Sequence, residues 1–414
     1  MLISKIAINN LLLRSLSVAA AGTVLAACAA SSGTARSESA TPATASAPAS
    51  AQEHYRLAGL AMRSPTSGYG QFVGMRGALC QAGVGVTSDG GARFSPPVKV
   101  VSWPCANNPP ARSLAFDNHG DGFLYGPKMY MTHDNGRLWA FSRQPGQVLA
   151  IAPSGRSVWM LEAKCPRIAV PAKCPLRLFE SANGGRTWAP SASQPPGATM
   201  SGYGGVAGEV AAGQTWLLRT GPLSGYVLGS PAVNSKGRPD SAALWWTGDA
   251  GASWSARRIP CELDALSVVV SAATDGTLVA VCASEPGTGF QAKSIARSTN
   301  GGRSWTRYVP CGGAICGGNP LDFGYLGAID AVSARMVYLV GSRSPLLVTE
   351  DGGVHWHAVK QVTAGTDGGT SLVVFFGRSH GFVLGDDPND NELPTIWFTS
   401  DGGVRWSALH PKIG

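Results

Sequence analysis

Seven copies of one eight-residue pattern recur along the chain and constrain its fold more than any other feature of the sequence. Position one is Ser or Thr, position three is Asp or Asn, position five is Gly, and position eight is Trp in six copies and Phe in one. The copies occupy residues 87–94, 132–139, 181–188, 247–254, 298–305, 349–356 and 399–406. Their starts lie 45, 49, 66, 51, 51 and 50 residues apart, a period that indicates an array of similar structural units.

The residue types of the pattern suit a tight turn between two strands. An Asp or Asn side chain can accept hydrogen bonds from backbone N–H groups of its own turn, and Gly adopts a positive φ without steric cost. The Trp can begin the returning strand and wedge between neighbouring sheets. We therefore expect these side chains to be structural, and neither ligands nor catalytic acids. They are Asp89, Asp134, Asn183, Asp249, Asn300, Asp351 and Asp401 at position three, and Trp139, Trp188, Trp254, Trp305, Trp356 and Trp406 at position eight.

The pattern resembles the Asp box, also called the BNR repeat, S-x-D-x-G-x-x-W. Between the boxes the chain consists of short apolar runs bounded by Gly, Ser and Pro, as in 325–332, 336–341, 345–349 and 356–359 of the sixth repeat. Four strands in each of seven repeats predict an all-β fold, a seven-bladed β-propeller of four-stranded antiparallel blades with an Asp box at each C–D turn. We expect the last blade to be completed by its own residues, so that the ring closes without a strand crossing the seam.

The first 27 residues have the features of a secretory signal. They carry Lys5 and Arg14, no acidic residue, and then a short apolar run that is too short for a stable membrane span. The run ends in Leu-Ala-Ala-Cys at 25–28, which resembles the lipobox of bacterial lipoproteins, and this resemblance implies lipidation of Cys28. The alternative is an ordinary signal peptide cleaved elsewhere, which leaves Cys28 as a free thiol.

Composition divides the rest of the chain into a tether and a folded part. Residues 29–52 consist almost entirely of Ala, Ser, Thr, Pro and Gly, so we expect 28–52 to be a lipidated Cys and a disordered tether. Residues 53–414 would form the propeller, held by its lipid anchor on the outer side of the cell membrane. The 33 Lys and Arg residues exceed the 25 Asp and Glu residues, but the excess is scattered, so we predict no nucleic-acid partner.

Eight cysteines remain after Cys28, an even number that predicts disulfides in an exported chain. On the blade plan all eight fall on the face that carries the B–C turns and the D–A links, here called the B–C face. The opposite face, with the A–B turns and the Asp boxes, is called the box face. We expect the pairs Cys80–Cys105, Cys165–Cys174, Cys261–Cys282 and Cys311–Cys316. The competing arrangement pairs Cys282 with Cys311 and Cys261 with Cys316, and a zinc site is the other interpretation of the Cys311-x4-Cys316 spacing.

The B–C face also carries the longest loops, and long loops on a rigid scaffold are typical of a binding face. We expect the insertion 191–212 and a second loop segment, 221–241, to account for the 66-residue spacing. The basic residues Lys164, Arg167, Lys173 and Arg177 surround the Cys165–Cys174 loop and are candidates for binding an acidic partner or lipid headgroups, or are simply solvated. The acidic residues Asp386, Asp387, Asp390 and Glu392 could hold calcium, although a solvated acidic hairpin fits their spacing better.

Two families share the repeat and imply different functions. Sialidases are glycoside hydrolases with an arginine triad, a Tyr–Glu pair, an Asp acid/base and a Phe-Arg-Ile-Pro type motif before the first box. Here Arg258-Ile-Pro lacks the Phe and follows box four, so a sialidase-type hydrolase is kept as the alternative. The chain is more similar to the photosystem II stability and assembly factor-like proteins, whose blades read Gly-aromatic-x-x-Gly followed by Thr-x-Asp-Gly-Gly-x-x-Trp, as in 381–385 and 399–406.

The second resemblance covers about residues 55–410 and implies a propeller that docks another protein. We therefore expect a non-catalytic binding or assembly scaffold whose partner is another protein or a surface glycan. The sequence contains no Ser-His-Asp arrangement, phosphate loop or His-rich metal motif, so we predict no catalytic residues, no metal and no cofactor. We expect a monomer.

Overall fold

Short strands make up nearly all of the regular structure of the residues that the structure describes. The structure is a computed structural model that describes residues 54–107, 109–110, 113–165, 172–203, 206–207, 215–233, 239–261, 267–284, 291–308, 321, 324–364, 372–386 and 394–414. These residues form 32 β-strands. Over the same ranges, no helix is long and apolar enough to cross a membrane.

The strands of the first three blades follow the chain in the order A to D. Blade one contains β1 (His54–Met62), β2 (Gly68–Arg76), β3 (Leu79–Thr87) and β5 (Val98–Pro104), while β4 (Arg93–Phe94) lies outside its sheet. Blade two contains β6 (Ser113–Phe116), β7 (Gly122–Tyr125), β8 (Met129–Thr132) and β9 (Ala140–Ser142). Blade three contains β10 (Gln147–Ser154), β11 (Ser157–Ala163), β12 (Ala172–Ser181), β13 (Ala189–Pro190), β14 (Thr199–Tyr203) and β15 (Val206–Ala207).

The remaining four blades each have four strands. Blade four contains β16 (Leu217–Arg219), β17 (Gly225–Val233), β18 (Pro239–Thr247) and β19 (Ser255–Ile259), and blade five β20 (Ser267–Ala272), β21 (Leu278–Ala283), β22 (Lys293–Ser298) and β23 (Thr306–Tyr308). Blade six contains β24 (Tyr325–Ala331), β25 (Val337–Ser342), β26 (Ser344–Thr349) and β27 (His357–Ala364). Blade seven contains β28 (Leu372–Phe376), β29 (His380–Asp386), β30 (Pro394–Thr399) and β31 (Ser407–Leu409), and β32 (Lys412–Ile413) follows it. The predicted all-β, seven-bladed propeller is confirmed.

Inner strands of the blades are apolar on both faces because each face packs against a different blade. In β21, Leu278, Ala280 and Cys282 belong to the cluster shared with blade four. The alternate residues Val279, Val281 and Ala283 belong to the cluster shared with blade six. Strand side chains alternate between faces, so a run with no polar interruption is what a sheet between two neighbours requires.

Each box aromatic packs between its own blade and the preceding one. Trp356 is 8% exposed and lies in the cluster shared by blades five and six. Phe94 is 1% exposed and packs with Phe382 and Ile396 of blade seven, so the same wedge closes the ring between blades seven and one. The predicted position of the box aromatics between neighbouring sheets is therefore present at the seam as well.

An acidic side chain ties three inner strands together. Asp330 of β24 accepts a hydrogen bond from the backbone N–H of Phe375 in β28 at 2.6 Å and one from the Ser271 hydroxyl of β20 at 3.4 Å. Burial raises the pKa of Asp330 to about 6, against the smaller effect of these hydrogen bonds. The carboxyl group thus links blades five, six and seven near the axis of the ring.

Blade three departs from the four-stranded plan at its outer edge. β13 pairs with the end of β12, β14 pairs with its beginning, and β15 pairs with β14. Between the two pieces, the Gln194 side chain takes the place of a strand: its Oε1 accepts from the Leu178 N–H at 2.7 Å and its Nε2 donates to the Leu178 carbonyl at 3.0 Å. The described part of the insertion 191–212 therefore widens the blade.

The expectation that 221–241 is a loop insertion is wrong. Most of this segment forms β17 and the beginning of β18, the B and C strands of blade four. Tyr226 and Leu228 are buried in the cluster shared with blade five, and Val227 is buried against blade three. The residues 225–229 read Gly-Tyr-Val-Leu-Gly, the pattern of a B strand, and burial of its apolar residues on both faces explains why the segment cannot be a loop.

The expectation of a seam without a crossing strand is only partly correct. Blade seven is completed by its own β31, yet the C-terminal β32 pairs in parallel with β4 of blade one. The N–H groups of Lys412 and Gly414 donate to the carbonyls of Ala92 and Phe94, both at 3.1 Å. Pro96 and Pro97 lack backbone N–H groups and lie between β4 and β5, so the D strand of blade one starts only at β5. The short strand β4 therefore pairs with the C-terminal strand instead.

Candidate functional site

The seven Asp boxes share one hydrogen-bond arrangement, which shows what their polar side chains do. In every box the position-one hydroxyl donates to Oδ1 of the Asp or Asn at 2.8–3.0 Å and accepts from the position-five N–H at 2.8–3.0 Å. The position-seven N–H donates to the same Oδ1 at 2.9–3.0 Å. The hydrogen bond from the Arg93 N–H is the main cause of the lowered pKa of Asp89. These side chains are engaged within their own turns.

Three disulfides rigidify the B–C face. Cys80–Cys105, Cys165–Cys174 and Cys261–Cys282 are bonded, which are three of the expected pairs. Cys80, Cys174 and Cys282 lie within strands, and their partners lie in the adjoining connections. Cys311 and Cys316 lie outside the described residues. The face therefore has covalently fixed connections on blades one and three and between blades four and five.

The basic cluster lies beside one of these disulfides. Lys164 follows β11, and its N–H donates to the Pro175 carbonyl of β12 at 3.1 Å. Lys173 and Arg177 belong to β12, and all three basic side chains are exposed. Arg167 lies outside the described residues. The Cys165–Cys174 bond therefore brings three cations together on strand ends whose backbone is fixed, an arrangement suited to an acidic surface.

A buried carboxyl group, which the sequence patterns did not predict, lies beside this cluster. Glu162 lies directly opposite Arg177 in the β11–β12 pair and is 2% exposed. Its Oε1 has no hydrogen-bond partner among the described residues. Burial raises the pKa of Glu162 to about 7, against the smaller opposing effects of the Gly146 N–H and the Arg177 charge. An acidic residue at the end of the apolar run 158–163 was the signal that could have revealed it.

The acidic cluster contributes little to the described structure. Asp386 ends β29, and Asp387, Asp390 and Glu392 lie outside the described residues. Within the residues that the structure describes, no group of three or more His, Cys, Asp or Glu side chains could hold a metal ion.

Solved structures of other proteins resemble the fold of this chain. No protein-family model and no curated protein sequence matches the chain. A structure of YCF48 bound to a D1 peptide is 17% identical with a TM-score of 0.52, over 84% of this chain and 94% of that one. The β-propeller domain of the Trilobed protease from Pyrococcus furiosus is 6% identical with a TM-score of 0.47, over 86% and 95%. A Trypanosoma rangeli sialidase is 12% identical with a TM-score of 0.41, over 84% and 53%. The likeness extends to the propeller fold.

Proposed function

We propose that this protein is an exported, lipid-anchored propeller that binds another protein through its B–C face and has no catalytic role. The observation that carries the proposal is the exposed cluster of Lys164, Lys173 and Arg177 beside the Cys165–Cys174 disulfide. Cations on a fixed backbone bind an acidic partner with less loss of conformational entropy than cations on a mobile loop.

A propeller of the same fold provides support for a protein partner. The similar structure of YCF48 was obtained with a D1 peptide bound, so a propeller built in this way can present a peptide-binding surface. The box face of the present chain is a poorer candidate for specific recognition, because its seven boxes are nearly identical turns engaged in their own hydrogen bonds. The B–C face differs from blade to blade.

Partner capture from native membranes tests the choice of face. Lys164→Glu combined with Lys173→Glu should reduce capture at least about tenfold, since each reversal replaces an attraction by a repulsion. The matched control reverses two exposed arginines of the box face, Arg303→Glu with Arg405→Glu, and should leave capture unchanged. If the control abolishes capture and the B–C face variant does not, binding takes place on the box face.

Anchoring through Cys28 has its own test. Cys28→Ala should give an unprocessed or soluble protein, because stable membrane attachment of this kind needs the acyl chains on that residue. A variant that still fractionates with membranes at the mature size would disprove the anchor. Release of fluorophore from a 4-methylumbelliferyl sialoside by the purified protein would favour the hydrolase alternative over the scaffold.

A further inference from the structure

The β2–β3 hairpin of blade one ends in an exposed apolar tip on the B–C face. Met75 is 61% exposed and Leu79 is 51% exposed, and Arg76, Gly77 and Ala78 between them are exposed as well. β2 ends at Arg76 and β3 begins at Leu79, so this tip is the B–C turn of the blade. Single exposed apolar side chains are ordinary on a protein surface, but two large ones on one tight turn form a small protruding patch.

The backbone of the tip is held from several directions. β3 pairs with β2 as far as Leu79 on one side and with β5 as far as Leu79 and Pro104 on the other. The Cys80–Cys105 disulfide lies directly behind the tip, and the Cys105 N–H donates to the Ala78 carbonyl at 3.0 Å. A turn fixed in this way does not fold back onto its blade, so its apolar side chains stay in water unless another body covers them.

The two large apolar side chains point to opposite sides of the hairpin. In the β2–β3 pair, Met75 lies opposite Cys80, and Leu79 lies opposite Arg76. Residues opposite each other in an antiparallel pair share a side, and successive residues alternate. The surface of a protein partner or of a second copy would cover one side of such a tip. A fluid medium that surrounds the tip covers both.

The predicted tether joins the propeller beside this tip. β1 begins at His54, which is paired with Met75 at the end of β2. A disordered chain with the length of the tether 28–52 has a root-mean-square end-to-end distance of roughly 25–30 Å. The lipid anchor proposed above, on which this inference rests, would therefore keep the B–C face of blade one within reach of the bilayer.

The described charges also differ between the two faces. Beside the basic cluster, the B–C turns of blades two and six carry the exposed cations Lys128 and Arg343. The exposed acidic side chains that the structure describes all lie on the box face: Asp89, Asp249, Asp275, Glu350 and Asp401. Cations next to an apolar tip suit the phosphates of lipid headgroups. Because the acidic connection 387–392 of blade seven lies outside the described residues, no preference for a negatively charged bilayer is assigned.

We propose that the tip of the β2–β3 hairpin inserts into the surface of the lipid bilayer. Met75 and Leu79 lie at the boundary between the headgroups and the acyl chains, where apolar groups of surface-bound proteins reach a depth of about 5–10 Å. Insertion turns the B–C face toward the bilayer and the box face away from it. A protein bound at the B–C face is then one that is itself at the membrane surface.

Photolabelling from within the bilayer tests the insertion. The mature chain carries a hexahistidine tag in place of Cys28 and is held on phosphatidylcholine vesicles that contain a nickel-chelating lipid and a phospholipid with a diazirine in its acyl chain. Trypsin separates the two sides of the tip, because it cleaves after Arg63, Arg76 and Arg93. The peptides 64–76 and 77–93 should both carry label. The control peptide 138–143 contains Leu138 of box two, which is 75% exposed on the box face, and should carry none.

Paired substitutions show whether the apolar side chains drive the insertion. Met75→Ser with Leu79→Ser should lower the label on both tip peptides at least about fivefold, because it removes the apolar groups that enter the bilayer. Val354→Ser with Val404→Ser is the matched control, since these valines are 44% and 77% exposed on the box face, and it should leave the label unchanged. All four substituted side chains are exposed, so both variants should melt with the wild type.

Three results would overturn the insertion: tip peptides labelled no more than 138–143, label on only one of the two tip peptides, or equal loss of label in the two variants. Sedimentation without vesicles tests the other occupant. A wild-type dimer that becomes a monomer in Met75→Ser with Leu79→Ser would show that a second copy covers the tip. Because the tag replaces the lipid, these outcomes do not depend on acylation of Cys28, which the fractionation of Cys28→Ala decides separately.

Discussion

At the scale of single residues, position four of the boxes shows a requirement that the consensus pattern does not contain. Its φ is positive in all seven copies, from 54° at Ala250 to 80° at Gly352. Five copies have Gly there, one has Asn135 and one has Ala250. A Cβ in the left-handed region is crowded by the backbone, and Asn tolerates this better than Ala. Box four is therefore the turn with the greatest backbone strain at this position.

Ala250→Gly should stabilise the protein by about 1 kcal/mol, because the relief of the left-handed Cβ exceeds the extra entropy that Gly gives the unfolded chain. The equivalent change in the opposite direction, Gly301→Ala in box five, should destabilise it. Urea unfolding of both variants gives the two free energies. A loss of stability in Ala250→Gly would show that box four gains more from the methyl group than the backbone loses.

Glu162 should make stability depend on pH near neutrality. Its pKa of about 7 lies above the ordinary 4.5, so the folded protein binds this proton more tightly than the unfolded chain does. The stabilisation is complete below pH 4.5 and is lost as pH rises through 7. We expect the free energy of unfolding to fall by up to about 3 kcal/mol between pH 5 and 8 and to fall much less in Glu162→Gln. Asp330 has a similar effect at lower pH: its pKa is raised from 3.8 to about 6, so its contribution to stability is lost as pH rises through 6. Asp330→Asn should remove this part of the fall in the free energy of unfolding.

At the scale of elements, the sequence predicted the strands best where two independent patterns agreed. In blades six and seven, apolar runs and box positions both marked the four strands, and the structure has strands there. In blade four the 66-residue spacing suggested an inserted loop, and the apolar run that forms β17 was therefore assigned to that loop. The widened edge of blade three could not be predicted, because its pairing depends on Gln194 reaching Leu178 across the insertion. Such a side-chain contact leaves no periodic pattern in the sequence.

Trp356 tests the wedge between neighbouring blades. Trp356→Ala should destabilise the protein by about 3–5 kcal/mol, because it empties a buried aromatic site between blades five and six and removes the donor to the Gly353 carbonyl. Trp356→Phe keeps most of the apolar contact and should cost less. The free energies of unfolding of the two variants are compared with that of the wild type. A Trp356→Ala variant as stable as the wild type would show that Trp356 does not stabilise the contact between blades five and six.

At the scale of the whole molecule, the two faces of the ring differ in what the sequence reveals about them. The B–C face has cysteines and charge clusters that can be placed from a blade plan alone, and three of its disulfides are where that plan expects them. On the box face, a groove of about 820 Å³ is lined by residues from blades five, six and seven that are distant in sequence. Taken singly these valines, arginines and carboxylates form no sequence pattern, so only the packing of the blades brings them together.

Closure of the ring at the seam combines side-chain packing with the backbone pairing of β32 and β4. Lys412→Pro removes the N–H that donates to the Ala92 carbonyl and should lower the melting temperature by several degrees, since a ring is only as stable as its weakest interface. Ile413→Pro is the matched control: it lies one residue on, is 40% exposed, and spares the N–H groups of Lys412 and Gly414 that make the pairing. Limited proteolysis of both variants should cleave Lys412→Pro faster near the C-terminus. If the two variants melt together with the wild type, the wedge of Phe94 against blade seven closes the ring alone.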